Sequence, residues 1–158
     1  MSESQTMLLA YDGTDEAAHA MEYAAKLLRP TTVEIITAWE PSARQAARSV
    51  SRVGVQMVGS SDDPAADPAY EEAQRVCNEG VNFAESLGLS GRGHLVESAT
   101  TIYEAIAESA AELDADVIVT GTRAVSGVRS LWNTSTAEHL VRHAGRPVFV
   151  VPPLDTDA

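Results

Sequence analysis

The chain has 158 residues, 44% of them apolar, and 23 acidic side chains against 11 basic ones give it a formal net charge of -12. That length suits one domain over residues 1–158 with a proper core, and the apolar fraction excludes a disordered chain. The charge would repel phosphate backbones and anionic lipid, so neither nucleic acid nor a membrane surface is expected as a partner.

Met1–Thr6 is polar and the apolar run after it covers only Met7–Ala10, so no secretory leader is expected and the chain reads as cytoplasmic. The first predicted strand is Met7–Tyr11. Thr14 then precedes Asp15 and Glu16, a capping hydroxyl followed by first-turn acids, which predicts a helix over Asp15–Leu28. A second strand follows at Val33–Trp39. Residues 40–68 interrupt the alternation, opening at Pro41 and closing through Ser60-Ser61-Asp62-Asp63-Pro64 to Pro68. Inside this excursion Arg44, Arg48 and Arg52 recur every four residues, a spacing that fits a short basic-faced helix. Such a stripe either binds an anion or partner, or forms a solvated, lid-like helix neutralised by neighbouring acids; charged faces are usually solvated.

A long helix is predicted over Ala69–Leu87, closed by Gly88. It contains Cys77, the one cysteine, which precludes an internal disulfide and reads as a small buried hydrophobe rather than a reactive thiol. Gly91-Arg92-Gly93 reads as a turn, leading to a weaker strand at Gly93–Glu97. Thr101 with Glu104 fits a capping box for a helix over Ile102–Leu113, after which Asp114 and Asp116 end the helix and begin a strand at Asp116–Thr120. Ser135 with Glu138 fits a second capping box for Thr136–His143. Gly145 closes that helix, and Pro147–Val151 is the last strand.

Uninterrupted runs such as Val117-Ile118-Val119 and Val148-Phe149-Val150-Val151 indicate strands buried on both faces. Alternating with helices, they predict an α/β domain built from parallel crossovers. Nothing approaches the roughly 18 consecutive apolar residues that span a bilayer. Lys26 is the one lysine, the other basic residues being arginine, and acid excess with so little lysine resembles halophilic proteins, whose self-repulsion high salt screens.

Ligands of such sheets bind beyond the carboxyl ends of the strands, where the winding reverses. If the first and fourth strands are neighbours, their loops bring together Asp12, Gly121, Arg123 and the Ser135 helix start. Those residues supply an acid for sugar hydroxyls or a metal, an open backbone, a cation and an anion-ready helix end. The loop matches neither the dinucleotide fingerprint nor the P-loop pattern. No G-x-S-x-G elbow or HExxH motif is present, so no catalytic residue is assigned. His139 and His143 lie four apart on one helix but lack an evident third ligand for a metal, and read as surface histidines near a helix C-terminus.

From Leu8 to Pro152 the chain resembles a universal stress protein. The markers are Leu9-Ala10-Tyr11-Asp12-Gly13-Thr14, Ile118-Val119-Thr120-Gly121-Thr122-Arg123, and the stretch from Ser135-Thr136-Ala137-Glu138-His139 to Arg146-Pro147-Val148-Phe149-Val150-Val151-Pro152. The resemblance implies a Rossmann-like, adenine nucleotide alpha hydrolase-like fold: a five-stranded parallel sheet in order 3-2-1-4-5, sandwiched by helices. It also implies a homodimer through the Pro147–Val151 edge strand and a regulatory role in stress response. Many members bind ATP, with magnesium, through a G-x2-G-x9-G-[ST] loop. In this register the chain has Gly121, Ala124, Thr134 and Ser135, so only the first glycine and the final hydroxyl match. A side chain in a left-handed loop position costs about 1 kcal/mol, and Gly127, three residues after Ala124, takes over part of the role only in an altered register. By the resemblance, Asp12 and the main chain at Ala38 face adenine and ribose, while Ser135 and Thr136 face the phosphates. The family also includes members without the motif that bind no nucleotide, so a partner-binding protein remains the alternative. An enzyme, at most a slow ATP hydrolase, would need an acid, base or nucleophile that Asp12 alone does not provide.

Overall fold

The apolar runs form β1 (Thr6–Ala10), β2 (Thr32–Trp39), β3 (Ser90–Glu97), β4 (Val117–Gly121) and β5 (Val148–Val151). The computed structural model describes residues 4–50, 63–97, 101–121 and 133–152, with residues 48–50 and 133–136 described by their backbone alone. All pairings are parallel and the order is β3-β2-β1-β4-β5, as the resemblance implies. Between the strands run α1 (Asp15–Leu28), α2 (Ser42–Val50), α3 (Pro68–Ser86), α4 (Ile102–Glu112) and α5 (Asn133–His143). No helix among the described residues is long and apolar enough to cross a membrane.

Period-two alternation sends each strand's side chains into two separate cores. Met7, Leu9 and Tyr11 of the β1 segment join Val33, Ile35, Val119 and Val151 beneath α1 and α3. Leu8, Ile36 and Ile118 point the other way, onto Ile106 and Ala110 of α4 and Leu140 of α5. Thr14 caps α1 by accepting from the Ala17 amide at 3.2 Å, and Thr101 accepts from the Glu104 amide at 3.4 Å. Gly88 (φ 83°) and Gly145 (φ 65°) follow α3 and α5 in the left-handed conformation expected of helix-terminating glycines.

Two expectations need correction. Gly91-Arg92-Gly93 is not a turn but part of β3, paired in register with Val33, Glu34 and Ile35. The glycines are there because α3 lies directly on this edge strand: a Cβ at Gly93 would come within 2.7 Å of the Cys77 sulfur, and one at Gly91 within 3.2 Å of the Ala84 Cβ. The last helix begins at Asn133 rather than Thr136, so Ser135 lies inside its first turn and not at the cap. Cys77 is buried, as its helix position predicts.

Glu34 is the one charged side chain that is buried among the described residues. Its carboxylate is compensated from the edge strand, by His94 Nε2 at 2.6 Å and Arg92 Nε at 3.3 Å. A buried carboxylate is tolerated only when paired, so these contacts join β3 to β2 by charge where apolar packing is thin.

Beneath α1 and α3, the approach of α3 is so close that Gly80 faces the Tyr11 ring; a Cβ at Gly80 would lie only 2.7 Å from Cδ1 and 3.0 Å from Cγ. Because Cγ sits next to the backbone, the ring cannot swing clear. Gly80→Ala should therefore destabilise the protein by about 1–3 kcal/mol, despite alanine's better helix propensity. A lowered urea midpoint at unchanged m-value is the expected reading, and an unchanged or raised midpoint would refute this packing account.

Candidate functional site

β1 pairs with β2 on one side and β4 on the other, so the winding reverses at β1 and a crevice opens at its carboxyl end. Ala10 is opposite Ile36, which puts Ala38 level with Asp12; Leu9 is opposite Val119, which puts Gly121 level with Tyr11. Asp12, Ala38 and Gly121 are thus brought to one edge of the sheet by register. Thr134, Ser135 and Thr136 lie in the first turn of α5, which the parallel crossover from β4 to β5 starts at that same edge. Arg123, Ala124 and Gly127 lie outside the described residues.

Asp12 is exposed, and its Oδ1 accepts from the Thr14 amide at 3.0 Å and the Thr14 hydroxyl at 2.6 Å. This Asx turn needs the left-handed conformation of Gly13 (φ 83°). Asp12 Oδ1 is therefore committed to positioning the loop, and Oδ2 is the oxygen directed elsewhere. In the otherwise buried β2 strand, Ala38 is the exposed position, so its main chain is accessible at the rim. Tyr11, just before Asp12, is fixed three ways. Its amide donates to the Ile36 carbonyl at 2.9 Å, its carbonyl accepts from the buried Thr37 hydroxyl at 2.9 Å, and its ring lies on Gly80. Burial pushes the Tyr11 phenol above its usual value, and the carboxylates of Glu79, Asp12 and Asp15 push it further. The main-chain bonds and ring packing of Tyr11 thus define a floor at the β1 end of the crevice.

The excursion starts beside this floor. Trp39, at the end of β2, meets Tyr70 of α3 edge to face at 5.1 Å. Arg44 of α2 pairs with Glu97 at the end of β3 at 2.8 Å. Arg48 enters α2 with only its backbone described, and Arg52 lies outside the described residues. The feature that sequence inspection missed is a clasp at the base of the excursion. Asp67 accepts from the Ser42 amide at 2.8 Å and from the Ser42 hydroxyl, while also capping α3 through the Ala69 amide at 2.9 Å. Asp-Pro at a helix start was a readable cap signal, but its second partner, 25 residues earlier, was not.

His139 stacks on Tyr103 of α4 at 4.2 Å with 6° between the rings, and His143 lies 5.7 Å beyond. Among the described residues no three His, Cys, Asp or Glu side chains converge as a metal site. Asp114, with φ 49°, ends α4 in a left-handed turn, and Asp116 Oδ2 accepts from the Thr6 amide at 2.8 Å at the opposite edge from the crevice.

Donors from Ser42 and Ala69, the Ser42 hydroxyl foremost, hold the Asp67 carboxyl below its ordinary value. A lowered folded-state value means that the stabilisation is complete above the unfolded-state value, near pH 4, and is lost as pH falls through the folded one. Asp67→Ala should lower Tm at neutral pH, and the deficit should shrink on acidification. A deficit that stays constant from about pH 7 to about pH 2.5 would show that the clasp contributes nothing through its charge.

The model of the universal stress protein family matches residues 3–152. A universal stress protein of Thermus aquaticus is 30% identical over 161 residues, covering 93% of this chain and 98% of the relative. Among solved structures, the universal stress protein from Archaeoglobus fulgidus superposes with a TM-score of 0.66 at 23% identity, over 92% of this chain and 97% of its own. The structure of that organism's protein in complex with dAMP gives 0.64 at 21% identity, over 92% and 96%.

Proposed function

The chain belongs to the universal stress protein family, and on that premise we propose that it is a regulatory binding module whose ligand is an adenine nucleotide. The observation that carries this reading is the convergence of Asp12, Ala38 and Gly121 at the carboxyl edge, where β1 separates β2 from β4. Asp12 Oδ2 accepts from ribose hydroxyls, the main chain at Ala38 meets the adenine edge, and phosphate lies against Gly121 and the α5 N-terminus. The first turn of α5 carries no acidic residue, which suits an anion there. The dAMP complex of the Archaeoglobus fulgidus relative supports the choice of an adenine nucleotide. ATP with magnesium is the form the family loop implies. Occupancy, not turnover, is the proposed signal: binding biases the α5 approach and the excursion in a cytoplasmic protein.

A second reading is favoured by one specific observation. Ala124 and Thr134 stand where the loop pattern has glycine, and their added bulk opposes close backbone approach to phosphate. In that reading the chain binds no nucleotide and acts through protein partners. Calorimetry with AMP on nucleotide-free protein separates the two. Micromolar binding is expected, and Asp12→Asn should weaken it about tenfold, because the amide preserves the Thr14 turn but cannot accept through the second oxygen. Absence of heat together with an unchanged melting temperature would leave the partner-binding reading.

We also propose a homodimer through β5. This strand is the sheet's edge beside β4, and Val150 on it is 39% exposed, an apolar edge that is better covered than left to solvent. Val150→Arg should convert a dimer into a monomer in sedimentation. A wild-type chain that sediments as a monomer across the micromolar range would overturn the assignment.

A further inference from the structure

A cavity of about 300 Å³ lies between α4 and α5, lined by Tyr103, Glu104 and Ala107 from one helix and by His139, Leu140 and His143 from the other. Helical spacing explains the lining, since Tyr103 and Ala107, like His139 and His143, are four apart and share a face of their helix. Leu140 is buried and Ala107 half-buried, which gives the cavity an apolar floor. Beside that floor Tyr103 and His139 stack at 4.2 Å with 6° between the rings, and His143 continues the array at 5.7 Å and 26°. Tyr103 and His139 are half-buried, whereas Glu104 and His143 are exposed at the mouth. The described lining holds one carboxylate, Glu104, and neither lysine nor arginine. Arg142, next to His143 in the chain, pairs with Glu138 at 2.9 Å.

We infer that the cavity between α4 and α5 binds a small aromatic cation, a planar body of one or two rings bearing an ammonium group. Its volume is at the lower limit of ligand cavities, which suits a ligand of that size. Stacked rings beside an aliphatic floor favour a flat apolar body, because aromatic pairs in offset parallel contact gain more than the area they bury. The carboxylate at the mouth selects the sign of the substituent. A cation is attracted to Glu104, while an anion meets both that carboxylate and the field of a chain with net charge -12. The lining shares no residue with the set formed by Asp12, Ala38, Gly121, Thr134, Ser135 and Thr136, so this inference stands independently of the adenine-nucleotide reading.

The test is calorimetric titration of the full chain with tryptamine and with its anionic counterpart indole-3-acetate. A pH of about 8 lies above the range in which imidazoles ordinarily titrate, and about 0.3 M potassium chloride screens the diffuse field of the chain. Tryptamine should bind about tenfold more tightly than indole-3-acetate. Glu104→Gln keeps the amide that Thr101 caps, and should weaken tryptamine about threefold without weakening indole-3-acetate. His143→Ala, at an exposed position, is the second variant and should weaken both ligands about threefold. In proton NMR the imidazole resonances of His139 and His143 should shift on tryptamine addition, and saturating AMP should not displace the amine. Absence of tryptamine heat up to about 5 mM, or equal affinity for the two ligands, would overturn the inference. So would binding that is indifferent to both substitutions and leaves the histidine resonances unmoved. Displacement by AMP would place the amine at the carboxyl edge and overturn it as well.

Discussion

Placing β1 in the middle of the sheet, with β2 on one flank and β4 on the other, is the constraint from which the rest of this structure follows. All five residues of β1 pair with β2, and Met7, Leu8 and Leu9 pair with β4 as well, so the middle of the strand is held by main-chain hydrogen bonds on both sides and by packing above and below. Met7, Leu8 and Leu9 are essentially inaccessible as a result. The chain leaves this rigid strand at Tyr11, and the connections on either side depart toward opposite faces. The gap left between them is a consequence of topology, not of any particular loop sequence.

Tyr11 converts that topological gap into a defined surface. Its main chain still pairs with Ile36 and Thr37 beyond the formal end of β1, and its ring is pressed onto α3 at Gly80. The next residue, Asp12, therefore emerges from a fixed point, and its Asx turn with Thr14 sets the start of α1. One short segment thus transmits the sheet's rigidity to the rim, the cap of a helix and the packing of another. The Ser42–Asp67 clasp does the comparable task for the excursion. It closes a long connection between residues whose chain separation would otherwise leave the α3 start free to shift relative to β2.

Much of this was legible in the sequence because it is locally encoded. α1 has the boundaries its cap and first-turn acids predict, and β2 differs by one residue from its apolar run. β3 shows where local encoding fails. Gly91 and Gly93 have the chemistry of a turn, yet they are strand residues whose missing side chains make room for Cys77, Val81 and Ala84 of α3. The signal there is tertiary, and no window around the glycines contains it. Glu34 and its partners on β3 escaped notice for the same reason, since a glutamate within an apolar run declares neither its burial nor the His94 and Arg92 that face it from the neighbouring strand. The positions of Asp12, Ala38 and Gly121 at the rim were accessible once strand order was inferred, because register alone carries them there.

The acidity of the chain acquires meaning at this rim. A net charge of -12 spread evenly would be a property of solubility and of little consequence for any one site. Here the acids beside the crevice are positioned by necessity. Asp15 stands in the first turn of α1, where its charge favours the helix dipole, and Asp12 shapes the turn that leads into that helix. Each has its own structural reason to be where it is. The fold's own capping and turn chemistry, rather than the demand of any ligand, thus accounts for the acids at the start of α1.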